Sequence, residues 1–416
     1  MTYQPNENTA LLLARALHAP WNEGTRVIGR DLARVAGAMR PVRALSLTHA
    51  QYIGRPDSDP TIKHIATRLP YGARGDYAAL RPITRAVEAV LASEPVDVAH
   101  LVGLPLALAP WLRRRGIPVV SHVTLAQQSY RGPAERLRAA VGWRCFDRWV
   151  DTYACTSEVV RAALAAQGYP AAKLRVVPPP IDVGRFHRVD RAIARRALGL
   201  AEHAFQVIYI GTVSPLRFPA DDVLRALSLA AEHIPNLSLA VFAPVGTHPY
   251  NLAWAAGHVR RAVAGSALPV SVELRDLSEE QKSALYCAAD VVLLPFSAPV
   301  AVEPPLTLLE AMACQATVAV APAANRSQLV ANRWNGIAYS SPEELARHLV
   351  QLHTLGAPVQ RALGVAARAS VVEQYSFAAV AQVLAGLWRE LGESRGVERS
   401  IRRSGVEGRP ALKPPG

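Results

Sequence analysis

The chain has 416 residues, half of them apolar, and a mean hydropathy of +0.10, which suits roughly two or three folded domains and excludes disorder over the whole length. Its formal net charge of +13 is uneven: residues 1–200 hold 28 Lys and Arg against 15 Asp and Glu, and the remainder holds 18 of each. Such asymmetry points to an anionic partner for the first half, or to an arginine bias of a GC-rich genome, since 42 of the 46 basic residues are Arg.

In chain order, short apolar runs alternate with segments of helical period. Strands are expected at 10–16, 42–47, 96–102, 118–122, 152–156 and 174–177, and helices at 25–38, 77–92, 106–115, 133–149 and 158–167. The helix at 25–38 shows its period in Val27, Ile28, Leu32 and Val35. Pro178-Pro179-Pro180 and the charged stretch 185–200 then interrupt the pattern and mark a hinge. A second series follows, with strands at 206–210, 237–242, 270–274, 291–294 and 317–321 and helices at 220–233, 279–289, 305–313, 342–355 and 377–391. The last residues, 396–416, are rich in Pro, Gly and Arg and are expected to be disordered. Strand-helix alternation implies right-handed crossovers and parallel sheets, so the expected class is α/β with two doubly wound, Rossmann-like domains, 1–185 and 186–376. Ligands in such folds bind at the carboxyl ends of the strands, so functional residues should stand just after strands.

Cys145, Cys155, Cys287 and Cys314 form no C-x-x-C pair and have no His at zinc-ligand spacing, so they suggest neither a disulfide scaffold nor a structural metal site and fit a reducing cytosol. The first residues, Met-Thr-Tyr-Gln-Pro-Asn-Glu, do not read as a secretory signal, and apolar runs such as 289–296 are far shorter than the roughly 20 residues needed to span a bilayer. The clearest chemical segment is 295–313. Pro304 or Pro305 would start a helix there, and a helix N-terminus facing a cleft offers free amides and a positive dipole end to a phosphate. Glu310, about one and a half turns in, is flanked by Leu308, Leu309, Ala311, Met312 and Ala313. These neighbours argue against a surface position for it, and a ribose hydroxyl pair is within its reach.

Several segments together carry a family resemblance. They are Leu277-Ser278-Glu279-Glu280, Leu285-Tyr286-Cys287-Ala288-Ala289-Asp290, Leu308-Leu309-Glu310-Ala311-Met312-Ala313 and Asn335-Gly336-Ile337-Ala338. In the first half, Asn22-Glu23-Gly24, Asp97-Val98-Ala99-His100, Cys155-Thr156-Ser157-Glu158 and the run from Val176 to Phe186 agree in order and spacing. From about residue 10 to 392 the chain resembles the retaining glycosyltransferases of the family 4 type, which have the GT-B fold. The resemblance implies an enzyme, without metal or other cofactor, that moves a sugar from a nucleotide-diphosphate sugar to a sugar or lipid-linked acceptor with retention at the anomeric carbon. It also implies that the second domain binds the donor, that the first shapes the acceptor site, and that the helix at 377–395 crosses back to the first domain.

Carried over by position, the resemblance makes His122, Glu303 and Glu310 catalytic. It places Gly24, Gly211, Thr212, Arg217, Leu277, Pro305, Leu306, Thr307, Glu310 and Arg326 on the donor, and Asn22 and Glu23 on the acceptor. Arg217 stands where the family has Lys, and its fork can grip phosphate oxygens. The chain also departs from the pattern. Thr212 replaces an Arg, for which Arg326 is a substitute; Val302 occupies the place of the first of two paired glutamates, with Glu303 one residue late; Gln315 and Gln328 replace a Gly and a Glu. These departures leave open a second reading, a catalytically impaired GT-B binding or scaffold protein. Nothing but charge favours a nucleic-acid partner. The cations Arg113, Arg114, Arg115, Arg131, Arg136, Arg138, Arg144 and Arg148 instead suggest a peripheral contact of the first domain with the inner, anionic face of the plasma membrane, or with a lipid-phosphate acceptor.

Overall fold

In the computed structural model, residues 8–18, 21, 23–53, 61–67, 79–103, 106–124, 143–244, 257, 268–299 and 302–404 are described. The first sheet comprises β1 (Thr9–Arg15), β2 (Val42–His49), β3 (Ile62–Thr67), β4 (Val96–Val102), β5 (Val119–Val123), β6 (Thr152–Cys155) and β7 (Leu174–Val176). Helices α1 (Gly24–Gly37), α2 (Leu80–Ser93), α3 (Ala109–Arg114) and α4 (Glu158–Ala166) connect them. All pairings are parallel in the order β3-β2-β1-β4-β5-β6-β7, which reverses direction at the β1/β4 boundary.

The side-chain alternation of β1 explains why both faces of this sheet need cover. Leu11 and Leu13 face Ile83 and Val87 of α2, while Ala10, Leu12 and Ala14 face Ile28, Leu32 and Val35 of α1. That second face is completed from the far end of the chain. Val380, Leu384 and Trp388 of the last helix, α10 (Phe377–Ser404), are buried against it. Each such side chain contributes on the order of 1.5–3 kcal/mol.

The second sheet comprises β8 (Phe205–Ile210), β9 (Leu237–Ala243), β10 (Val270–Leu274), β11 (Val291–Leu294), β12 (Val318–Val320) and β13 (Ile337–Ala338), in the order β10-β9-β8-β11-β12-β13. It is flanked by α5 (Arg191–Leu198), α6 (Ala220–Ala231), α7 (Glu279–Ala288), α8 (Leu306–Ala313) and α9 (Pro342–Tyr375). The chain passes between the two sheets at two places that touch: the Ile181 amide donates to the Tyr375 carbonyl at 2.7 Å, and Ile181 bridges Ser376. The architecture is thus the expected one, two Rossmann-like units of parallel strands.

Several elements differ from the expectation. β3 was not foreseen, because an edge strand with Lys63 and His64 lacks a buried apolar run. The charged linker at 185–200 contains α5, capped by the Asp190 carboxylate and ended by Gly199 at φ 66°. Its Arg195 points inward, onto Asp290 and the carbonyls of Ala288, Glu202 and Ala204. The helix expected at 342–355 continues past a break at Gly356 (φ 68°) as far as Tyr375. α10 likewise runs to Ser404, into the segment expected to be disordered; residues 405–416 lie outside the described ones, as does most of the helix expected at 133–149.

Candidate functional site

The cleft side of the first sheet is built by the loop after β1 and by the ends of β5 and β6. Asn22 lies outside the described residues. Glu23 is the N-cap of α1, its carboxylate accepting from the amides of Thr25 at 3.1 Å and Arg26 at 3.0 Å. Gly24 opens that helix where it meets the second half of the chain: a Cβ there would lie 2.6 Å from Val302 Cγ2. Only a residue without a side chain fits.

His122, on β5, is buried, and its Nδ1 lies 3.1 Å from Nε2 of His100 on β4. Burial lowers the His122 pKa to about 3, and burial followed by the His122 charge holds His100 well below the ordinary value, so both rings are neutral. His122 Nε2 and His100 Nδ1 find no hydrogen-bond partner, and the Trp388 ring of α10 stands edge-on to His100 at 6.3 Å.

The opposing wall is the segment between β11 and α8. Val302 packs into the apolar face of the first sheet with Leu12 and Trp388, so the residue in the place of the family's first glutamate joins the halves through apolar contact. Glu303, one position later and followed by a cis peptide bond to Pro304, is buried. Its Oε1 accepts from the Ser327 amide at 3.1 Å and hydroxyl at 2.5 Å, and its carbonyl accepts from Thr156 Oγ1 at 2.7 Å. Burial raises its pKa, against the opposing pull of Ser327 and the Arg326 charge. Arg326 therefore stands beside Glu303.

Pro305 is the N-cap of α8 rather than its first helical residue, so Leu306 and Thr307 supply the first-turn amides, and no side chain caps them. Glu310 is buried, its Oε2 accepting from Tyr286 Oη at 2.7 Å. Burial raises its pKa too, opposed by Lys282 and Tyr286 and reinforced by Glu279 and Asp31. Leu277 lies in the core of the second sheet, just before the Ser278–Gln281 capping box of α7.

The loop after β8 contains Gly211 at φ 152°, where the Tyr209 phenol donates across to the Thr212 carbonyl at 2.7 Å. Arg217 closes a turn on Ser214 (amide to carbonyl 3.1 Å), and this loop is fixed to the 296–299 strand exit by the Ser297 amide on the Leu216 carbonyl at 2.9 Å. The charge of Arg217 reaches the buried Tyr209 phenol.

One group of residues went unread in the sequence. Arg30 of α1, 1% exposed, forks onto Glu279 of α7, and also holds Asp31 at 2.7 and 3.0 Å. Arg185 pairs with Glu279 as well, Lys282 Nζ donates to the Trp21 carbonyl at 2.7 Å, and the Trp21 ring lies 4.6 Å from the Arg30 guanidinium. Burial works against the Glu279 charge, but Arg30, Arg185 and Lys282 outweigh it and keep its pKa low. A signal existed: Asp31 shares the 28–31–32–35 face of α1 with three apolar residues, a place for a carboxylate only if it is paired.

Away from the cleft, Trp111 lies 3.7 Å from the Arg115 guanidinium and Trp149 lies 3.8 Å from that of Arg148. Arg113 pairs with Asp151 at 3.1 Å and Arg115 with Glu88 at 2.9 Å, so part of this basic face is internally neutralised. Arg131, Arg136 and Arg138 lie outside the described residues. Among the described residues, no group of three or more His, Cys, Asp or Glu side chains is placed to hold a metal ion, and no helix is long and apolar enough to cross a membrane.

Residues 42–185 match the model of Glycosyltransferase Family 4, and residues 204–354 that of Glycosyl transferases group 1. A D-inositol 3-phosphate glycosyltransferase of Segniliparus rotundus is 29% identical over 66% of this chain and 59% of its own length. One of Actinosynnema mirum is 46% identical over 66 residues, 16% of each chain. The chain thus spans well under two thirds of the length of these curated relatives. In fold it is similar to HepE of Anabaena, solved with UDP (TM-score 0.71, 15% identity, 92% of this chain and 100% of that one). It is also similar to WaaG, a glycosyltransferase of lipopolysaccharide biosynthesis (TM-score 0.65, 17% identity, 91% and 99%).

Proposed function

Glycosyltransferase family models match both halves of the chain, and from that premise we propose that it is a group 1 glycosyltransferase, transferring a sugar from a nucleotide-diphosphate sugar to an acceptor with retention of anomeric configuration. The observation that carries this reading is the pairing of an uncapped α8 N-terminus with the buried Glu310 one and a half turns behind it, on the wall that faces Gly24. HepE, solved with UDP and with UDP-glucose, supports a donor of that class.

In this reading the amides of Leu306 and Thr307 and the guanidinium groups of Arg217 and Arg326 meet the departing diphosphate, so leaving-group charge is stabilised by helix dipole and cations. Glu310 Oε1, opposite the oxygen that Tyr286 occupies, accepts from a ribose hydroxyl. Neutral His122 presents Nε2 to a sugar hydroxyl, and Glu303, held by Ser327, keeps its second oxygen for the sugar face. Asn22 and Glu23 lie on the acceptor side. No step requires a metal ion.

The acceptor is a sugar or a lipid-linked one. The relatives named for D-inositol 3-phosphate support an anionic acceptor, which suits the basic first half. The Arg-on-Trp pairs at 111–115 and 148–149 suit work in the cytosol at an anionic membrane surface, where amphipathic rings and cations are both favoured.

Incubation with UDP-, GDP- and ADP-sugars tests the reading. Donor hydrolysis or saturable nucleotide binding is expected, weakened by Glu310→Ala, and no binding of any nucleotide overturns it. The membrane contact is checked with anionic vesicles, where binding should fall with salt and with charge reversal at Arg114 and Arg148. Equal binding to neutral vesicles counts against it.

A further inference from the structure

Two of the four cysteines meet in a setting that the transfer reaction does not use. Cys287, near the end of α7, and Cys314, the C-cap of α8, line one small pocket together with Arg188, Arg191 and Arg361, about 20 Å³, room for a molecule little larger than water. The Cys287 sulfur accepts from the Val189 amide at 3.4 Å, and its protonated thiol donates to the His187 carbonyl at 3.4 Å and to the carbonyl of Cys314 itself at 3.9 Å, which places the two cysteines side by side. Cys314 is deeper, its sulfur 3.5 Å from Ser283 Oγ.

The roles of the two thiols divide on this geometry. The hydrogen bond from Cys314 is the largest influence on Cys287. With the Val189 amide and the charges of Arg188 and Arg191 it overcomes burial and lowers that thiol to about 7, while burial pushes Cys314 well up. A thiolate at the mouth of a cationic pocket, with a protonated thiol behind it, is the arrangement of an attacking and a resolving sulfur. Cys155 shows the contrast: burial outweighs the charge of Arg161, which Glu158 opposes, and pushes the thiol up to about 12.

We propose that Cys287 is an oxidation site, closed reversibly to a disulfide with Cys314 by a small hydroperoxide that enters through the arginine-lined pocket. The Cys287 thiolate attacks one peroxide oxygen, the O–O bond breaks, and the leaving oxygen takes a proton to depart as water or alcohol. This leaves a sulfenic acid at Cys287. The Cys314 sulfur then attacks the Cys287 sulfur; the S–S bond forms, the S–O bond breaks, and the hydroxide leaves as water with the Cys314 proton. Two thiols lose two electrons and the peroxide gains them. A disulfide of this kind, made and reduced in turn, is compatible with a reducing compartment.

The link to the cleft is short, and this clause rests on the proposed nucleotide site. Tyr286, which holds Glu310, adjoins Cys287, and the Cys314 amide donates to the Glu310 carbonyl at 3.1 Å. Closing the disulfide therefore displaces both ends of the Tyr286–Glu310 bond.

The test treats the full chain with stoichiometric hydrogen peroxide, blocks free thiols, and reads peptides by mass. Expected are a Cys287–Cys314 cross-link lighter by two hydrogens, its loss on dithiothreitol, and dimedone capture at Cys287 in the Cys314→Ser protein. Iodoacetamide labelling of Cys287 in untreated protein should rise through a midpoint near the value above, independently of any variant. Absence of the cross-link in the wild type, or consumption of the exposed Cys145 before Cys287, overturns the proposal. Oxidised protein should bind UDP several-fold more weakly than reduced protein. A cross-link in a protein that binds no nucleotide in either state sinks the transferase reading alone; unaltered nucleotide binding with no cross-link sinks this one alone.

Discussion

Arg30 and Glu279 form a two-pronged buried ion pair, Nη2 to Oε1 at 2.6 Å and Nη1 to Oε2 at 2.9 Å, between the first helix of one sheet and the seventh helix beside the other. Both groups are out of water, so each depends on the other for its charge. Burial alone would discharge Arg30, yet Asp31 and Glu279 outweigh it and hold its pKa raised. Arg30→Ala leaves Asp31 buried without its main counter-ion and should cost about 3–5 kcal/mol, read as a lowered urea midpoint. Arg30→Ala combined with Glu279→Gln should recover part of that loss. Additive losses in the double variant would mean that the two residues are not coupled.

Glu310 is expected to trade stability for binding. Its folded pKa is raised above the unfolded one by burial, so the folded state holds its proton more tightly, and the stability this group lends is full in acid and is lost as pH rises through the folded value. Above the unfolded carboxyl range this group is therefore a burden on the fold. Glu310→Gln should raise the melting temperature near pH 7.5, and the gain should shrink as the pH falls into the carboxylate range. Glu310→Ala should lose about 10- to 100-fold in nucleotide affinity, the value of roughly 1.5–3 kcal/mol for a hydrogen bond to a charged group. A Gln variant less stable than the wild type at pH 7.5 contradicts this.

How much of this was legible depends on how local the signal was. β11 falls on the residues expected because a strand covered on both faces shows as an unbroken apolar run, and β4 and the edge strand β10 fall on theirs because their valines and leucines are bounded by proline and other turn residues. Glu310 was readable for the same reason, a charge set among Leu308, Leu309 and Met312. α5 was hidden because Arg191, Arg195 and Arg196 read as solvated linker charge, whereas two of them turn inward to Asp290. The Arg30–Glu279 pair was beyond reach: its partners are 249 residues apart, and each alone is an ordinary helix charge. Val302 was noticed as a missing glutamate, but only the fold shows it filling a contact with Gly24.

That contact yields a double-mutant test. A methyl group at residue 24 would stand 2.6 Å from Val302 Cγ2, closer than carbon atoms tolerate, with Leu306 Cδ1 a further 1 Å or so away at 3.7 Å. Gly24→Ala should therefore destabilise by about 1–3 kcal/mol as overpacking, and lower nucleotide affinity by spreading the cleft. Val302→Ala removes the opposing methyl groups, so the double variant should be more stable than the sum of the single losses by at least about 0.5 kcal/mol. Strict additivity in denaturant midpoints would show that the two walls do not meet.

His100 and His122 give the protein an acid-sensitive core. An unfolded histidine titrates near 6.5, while burial lowers folded His122 to about 3 and holds His100 well below its ordinary value. Between those values the unfolded chain binds more protons than the folded one, so the unfolding free energy rises with pH across that window and falls as acid is added, by at most about 1.4 kcal/mol per pH unit for each ring. The raised carboxyls of Glu303, Glu310 and Asp31 act with the opposite sign, so the histidines are isolated by difference. His122→Asn should cost stability at pH 7.5 through lost packing and the lost bond to His100. That gap should narrow as the pH falls from about 6.5 to 5, because the wild type must keep two imidazoles neutral there and the variant only that of His100. His100→Phe, which leaves His122 in place, should shift the 15N tautomer signature of the remaining ring, since His100 Nε2 is the neighbour of its Nδ1 at 3.1 Å. A pH-independent gap together with an unmoved tautomer would mean that the two rings are neighbours without being partners.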